Sequence, residues 1–376
     1  MDHQKDLERI EIKPLKIKTL FPLLLIFCVI GFSLLLFLVI AKPFTASLPQ
    51  APLLQIQNEH PRLFSQHFFG GFGINRPVEV VDAASDGVQV DFHYGMPARP
   101  NDPLGQALTT NQIKLVDSAL WDMLGNSHCY NLASSSRGPC VDTLLTNVRR
   151  HLLETRDNSL VAGYWILDDY PGDVKTILPQ LTSLVHQYAP GKPTICGFGG
   201  ELYPHGGFSW SEETVSNFSQ QGCDVVALYL YPGAQHTNTR CSDFIQPPDV
   251  QGADAYDWTM SGLLPAAFAS LEQRGWNPQH TPWIGIAYAF AGCRKDLNNT
   301  AYQVIPTASN METQALSFCK AGAQGIVWYG WEDSTVNVFP NNSPQMKAGV
   351  QRGMRACKAY WNHASLTSST LWTALQ

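Results

Sequence analysis

From Phe68 onward, short apolar runs alternate with longer segments of helical period. The runs are rich in Val, Ile, Tyr and Trp and are bounded by Gly, Pro and Asn, the signature of strands. They fall at 68–74, 88–94, 127–133, 161–168, 193–199, 224–231, 282–290 and 325–331. Between them, apolar residues recur at helical spacing over 77–86, 109–124, 140–156, 173–189, 211–221, 257–275 and 311–321, with 343–357 closing the set. The segment 109–124 carries Ile113, Val116, Leu120 and Leu124 on one stripe, with Thr109 or Thr110 in place to cap it. Gly125, Gly222 and Gly275 stand where left-handed helix caps belong.

Eight strand–helix units in one chain predict an α/β (β/α)8 barrel over residues 67–358. An open doubly wound sheet is the alternative. Phe69-Gly-Gly-Phe-Gly73 after the first run, however, is not the GxGxxG that such a sheet uses for phosphates. The connections are lopsided. Those entering the strands are short, whereas those leaving them, at 95–108, 200–210, 232–256 and 291–310, are long. Long loops in compact domains are usually functional, and barrel sites lie on the face that the outgoing loops build.

Ahead of the barrel the pattern changes. Leu20–Ile40 is an unbroken apolar run without charge, long enough as a helix to cross the roughly 30 Å hydrocarbon core of a bilayer. Lys13, Lys16 and Lys18 precede it, so the positive-inside rule keeps residues 1–19 in the cytoplasm and exports the chain beyond the run. The expectation is a single-pass anchor whose partner is the lipid bilayer. The alternative is a signal peptide cleaved near Thr45 to Ser47, releasing a secreted protein. Residues 41–66, with Pro43, Pro49, Pro52 and Pro61, read as a stalk, and 359–376 as a C-terminal tail.

Composition agrees with export. Charged residues make up 15%, against about 25% in ordinary soluble domains. With 25 Lys+Arg against 31 Asp+Glu and a net charge of −6, a nucleic-acid partner is excluded. Of 9 cysteines, only Cys28 lies in the apolar run, and the even remainder suggests disulfides in an oxidising compartment. Cys129 and Cys140 bracket a Ser-rich stretch and are expected to pair. Cys241 and Cys293 fall in the loops leaving strands six and seven, neighbours in a barrel, and are expected to pair as well. Cys196, inside a strand, reads as a buried free thiol. No Cys/His spacing suits zinc, no HExxH or GxSxG occurs, and no metal or cofactor is implied.

The carboxylates carry the chemistry. Asp168 and Asp169 end the fourth strand, and strict alternation puts Asp168 on the face of Tyr164 and Ile166, Asp169 on that of Trp165 and Leu167. Glu332 and Asp333 follow the eighth strand, and Glu201 follows the glycine-rich end of the fifth, where Gly197, Gly199 and Gly200 leave room for a ligand. Splitting a glycosidic bond needs one acid to protonate the leaving oxygen and a second carboxylate as nucleophile or base. Asp168, Asp169, Glu332 and Glu201 are the candidates for that pair. Asp91, His93 and Tyr94 on strand two, Tyr229 and Tyr231 on strand six, Tyr288 on strand seven and Trp328, Trp331 and Asp333 on strand eight are candidates to hold the substrate.

Over residues 68–357 the chain resembles the TIM-barrel glycoside hydrolases as a broad superfamily, on Asp168-Asp169, Tyr229 with Tyr231, and Trp328. Chitinase-like barrels share that trio, but their fourth strand ends in a longer acidic run closing with Glu. The large retaining clan carries Asn-Glu on strand four and Glu on strand seven, where this chain has Asp168-Asp169 and Ala287-Tyr-Ala-Phe290. The resemblance implies a hydrolase acting on an extracellular glycan, with a pair of carboxylates other than the retaining clan's. The empty strand-seven position motivates the alternative, a non-catalytic, lectin-like carbohydrate-binding barrel.

Overall fold

Eight parallel strands close on themselves: β1 (Phe68–Phe72), β2 (Val90–His93), β3 (Lys114–Asp117), β4 (Val161–Leu167), β5 (Thr194–Leu202), β6 (Val225–Tyr229), β7 (Trp283–Tyr288) and β8 (Gly325–Tyr329). Each pairs with its sequence neighbours, and β8 returns to β1 with Phe68 opposite Gly325 and Gly71 opposite Trp328. In this computed structural model the described residues are 66–132, 134–168, 173–202, 208–210, 215–232, 234–236, 259–293, 301–303, 305–331 and 338–373. The (β/α)8 barrel is thus the fold.

Both faces of every strand are covered, which is why the runs are apolar throughout rather than alternating with polar residues. Phe68, Phe72, Val90, Phe92, Val116, Trp165, Ile195, Ala227, Ile286 and Val327 fill the barrel. The intervening residues, Val226, Leu228, Ile326 and Trp328 among them, pack outward against the helices. Those helices are α1 (Pro77–Asp86), α2 (Pro103–Thr110), α3 (Ala119–Ser127), α4 (Ser134–Thr155), α5 (Leu178–Tyr188), α6 (Leu264–Gln273), α7 (Ala308–Lys320) and α8 (Pro344–Thr373). α8 runs well past residue 357, and residues 359–373 are helical.

The third unit differs from the sequence expectation. β3 lies inside the segment that reads as one helix, and 127–133 instead holds the end of α3 and a 3-10 turn at Cys129–Asn131. All four stripe residues are buried, but two elements share them: Ile113 and Val116 belong to the strand region and Leu120 and Leu124 to α3. A strand this short, buried on both faces at Leu115, Val116 and Asp117, shows no alternation of its own, so the helical period runs straight through it. Thr109 and Thr110 end α2 rather than begin a helix. Its true cap is Asp102, whose carboxylate accepts from Gly105 N at 2.7 Å, with Pro103 at the first helical position. Gly125 sits within α3, and His128 takes the left-handed cap at φ 52°.

Among the described residues three disulfides fasten the barrel: Cys129–Cys140 between the 3-10 turn and α4, Cys196–Cys223 between β5 and the approach to β6, and Cys319–Cys357 between α7 and α8. Cys196 is therefore not a free thiol. Parallel neighbours in register bring it beside Cys223, 27 residues on. Cys241 lies outside the described residues, and Cys293 is described only in its backbone. Among the described residues no helix is long and apolar enough to cross a membrane, and the apolar run 20–40 lies outside them.

The outgoing loops build on one end. β5 turns back on itself, pairing with Phe208–Trp210. Ala301–Gln303 pairs on one side with Ala234–His236 and on the other with Gly292–Cys293, so the segments leaving β6 and β7 form one small antiparallel sheet.

Candidate functional site

At the C-terminal mouth the barrel ends in aromatic rings. Phe72, Tyr94, Trp165, Tyr229, Tyr231, Tyr288, Phe290 and Tyr329 touch in a chain. Phe72 lies 5.3 Å from Tyr329, Trp165 6.0 Å from Tyr229, and Tyr231 5.1 Å from Phe290 and 5.9 Å from Tyr329. Tyr94 also faces Trp121 of α3 at 6.5 Å. Most are deeply buried, but Tyr94, Trp121, Tyr231 and Tyr329 keep partial exposure and line the opening. Alternation sets which strand residue points in: on β8 it is Tyr329, in step with Val327, and not Trp328.

A carboxylate stands in this ring. Asp168 receives a hydrogen bond from the Tyr229 hydroxyl. Strict alternation would have sent Asp168 outward with Tyr164 and Ile166. The β4–β5 register slips between Trp165 and Leu167, and past that irregularity Asp168 joins the side of Trp165 and Tyr229. Gly197 on β5 makes the arrangement fit. A Cβ there would lie 2.6 Å from the Tyr229 ring and 2.7 Å from Trp165, so its space is taken by protein and not left for a ligand.

Burial raises the Asp168 pKa from its ordinary 3.8 to about 6, with the bond from Tyr229 and the neighbouring Trp165 pulling the other way and the charge of Asp122 adding to the rise. Asp122 itself is raised, first by burial and then by Asp117. The hydroxyls of Tyr229 and Tyr94 are pushed up by burial and, next, by the charges around them, Asp168 among these for both. Both tyrosines therefore stay protonated as donors. A carboxylic acid that holds its proton to about pH 6 beside phenolic donors is equipped to protonate a leaving oxygen.

The remaining candidates divide. Tyr229, Tyr231, Tyr94 and Tyr288 are in the mouth. Trp328 and Trp331 are fully buried behind it, Trp328 against Gly353 of α8 and Trp331 against Gly71 of β1, so neither offers a face to a sugar. Asp91 and His93 also point outward. Asp91 accepts from Ile74 N and bonds His93 Nδ1, both at 3.0 Å, and so splints the start of the β1–α1 connection. Burial raises the Asp91 pKa, and its bond to His93 opposes that rise. Asp169, Glu332 and Asp333 lie outside the described residues, and Glu201 is described only in its backbone, on β5. Sequence reasoning missed Tyr329, which alternation with Val327 would have found. It also missed Trp121 and Asp122, brought to the mouth only by the packing of α3. Among the described residues no group of three His, Cys, Asp or Glu side chains is set to hold a metal ion.

The closed eight-strand barrel with a half-buried acid in its aromatic mouth defines a TIM-barrel fold, without assigning the chain to a particular family. No family model and no curated sequence matches the chain. Among solved structures, it is similar to a β-glucuronidase of Ruminococcus gnavus, at 11% identity and a TM-score of 0.48 over 76% of this chain and 49% of that one. It is also similar to the endo-β-1,4-mannanase of Thermotoga petrophila, at 10% identity and 0.48, over 77% of each. A broad-specificity endoglucanase of Clostridum cellulovorans matches at 8% and 0.47, over 80% of this chain and 96% of that one. The chain spans about half the length of the glucuronidase. The fold assignment itself rests on the pairing of the eight strands.

Proposed function

We propose that the chain is a glycoside hydrolase, exported and held at the cell membrane by residues 20–40, with its barrel outside and a glycan as substrate. The observation that carries the reading is Asp168: an acid with its pKa raised to about 6, bonded by Tyr229, in the aromatic mouth of a (β/α)8 barrel. In the reaction Asp168 gives its proton to the glycosidic oxygen as the bond to the sugar breaks. The second carboxylate, from Glu332, Glu201 or Asp169, attacks the sugar or activates the water that replaces the leaving group. Tyr94, Tyr231 and Tyr329 supply ring faces and hydroxyls for the sugar. Incubating the full-length chain with a panel of oligosaccharides and polysaccharides tests this. New reducing ends should appear and should vanish with Asp168→Asn. A panel left uncut, or cleavage unaffected by that change, overturns the assignment.

The second reading is a carbohydrate-binding barrel without turnover. It is favoured by the end of β7, where Ala287, Tyr288, Ala289 and Phe290 are all buried and none is an acid. Glycan binding without any cleavage decides for it.

A further inference from the structure

Beside the mouth lies a second cavity of about 540 Å³, open to solvent, between the loop that leaves β2 and helices α3 and α4. Its volume falls within the roughly 300–1,000 Å³ of small-molecule sites. Asp122, Asn126 and Asn147 line it together with Met96, Met123 and Leu144. Asn126 and Asn147 are exposed and Asp122 is half-buried, so amide and carboxylate groups on its lining are accessible to a ligand. Its walls are fixed. Cys129–Cys140 ties the turn after α3 to α4, and Cys140 itself faces the cavity.

The cavity neighbours the mouth along the chain. Gly95 and Met96 follow Tyr94 directly, and Asp122 follows Trp121, the residue that packs on Tyr94. We propose that this cavity is a subsite for a further, uncharged sugar unit of the substrate whose scissile bond lies at Asp168. Amide and carboxylate groups beside a methionine and leucine wall match the hydroxyls and apolar face of a pyranose ring. No Lys or Arg lines the cavity, and the carboxylate of Asp122 repels a uronate or a sulfated sugar. The inference rests on the glycosidase or glycan-binding reading of the mouth.

The test uses full-length protein and calorimetric titration with neutral oligosaccharide ladders (cello-, manno- and chito-oligosaccharides, disaccharide to hexasaccharide) and with oligogalacturonates. Two variants accompany it. Thr143→Trp, at an exposed α4 position whose hydroxyl is already bonded to Pro139 O, closes the cavity. Asn147→Ala removes one of its polar groups. Affinity in the wild type should rise with length for one neutral ladder and not for the uronates. In Thr143→Trp the longer members should lose about ten- to a hundredfold while the disaccharide is unchanged, and Asn147→Ala should lose about threefold or more. Melting curves equal to wild type show that the variants fold. Length-dependent binding that neither variant alters overturns the subsite and leaves the mouth's assignment standing. Absence of binding to every glycan overturns the assignment of the mouth and the subsite with it.

Discussion

Replacing Asp168 by Asn should make the protein more stable at neutral pH, because the acid is held where its charge is unwelcome. Its folded pKa of about 6 stands above the ordinary 3.8. Between those values the folded state binds a proton that the unfolded chain has released, so stability falls as pH rises through that window and stays lower above it. At about 1.36 kcal/mol per pKa unit the difference amounts to about 3 kcal/mol. Asp168 retains partial exposure at the opening, and water there screens part of the penalty, leaving about 1–2 kcal/mol. Asn is neutral at every pH and nearly the same shape, and the Tyr229 hydroxyl still finds an acceptor in its carbonyl. Melting Asp168→Asn and wild type side by side from pH 3.5 to 8 reads the effect. The two should coincide near pH 3.5, and the variant should melt a few degrees higher at pH 8. A variant that is less stable at both ends, or offset by the same amount throughout, would show that desolvation of the carboxylate is not what sets its pKa.

The same geometry sets three further outcomes. If Asp168 is the proton donor, activity should fall as pH rises through about 6, and Tyr229→Phe, which removes a donor that favours the carboxylate, should move that limb upward in a pH–rate profile. Gly197→Ala should cost about 1–3 kcal/mol in a denaturant titration and push Tyr229 off Asp168, since the added methyl meets both aromatic rings. The three observed bridges use every cysteine outside the apolar run except Cys241 and Cys293, and the segments leaving β6 and β7 are already paired in one sheet. Non-reducing peptide mapping should therefore recover those two cross-linked, and finding them separately alkylated would refute the pairing.

The sequence by itself determined the barrel and the end of it that carries the site. Buried parallel strands announce themselves as apolar runs because both faces are covered, and the long outgoing loops mark one end as elaborated. Those signals are local, written within a few residues of each strand. Cys129–Cys140 was legible for the same reason, since only 11 residues separate its ends. Only the tertiary structure decided what depends on neighbours distant in the chain. β3 was hidden because a short strand with three successive buried residues carries no period of its own, and the closed sheet alone claims Lys114–Asp117 as its third member. Cys196 became half of a bridge when β5 and β6 came into register. Asp168 turned inward at a slip in the β4–β5 ladder that no alternation rule contains. Asp122 reached the mouth through the packing of α3, which no spacing along the chain expresses. The direction of a side chain at an irregular strand end is set by the partner strand and by the room that Gly197 leaves across the barrel, so the acid was visible in the sequence and its orientation was not.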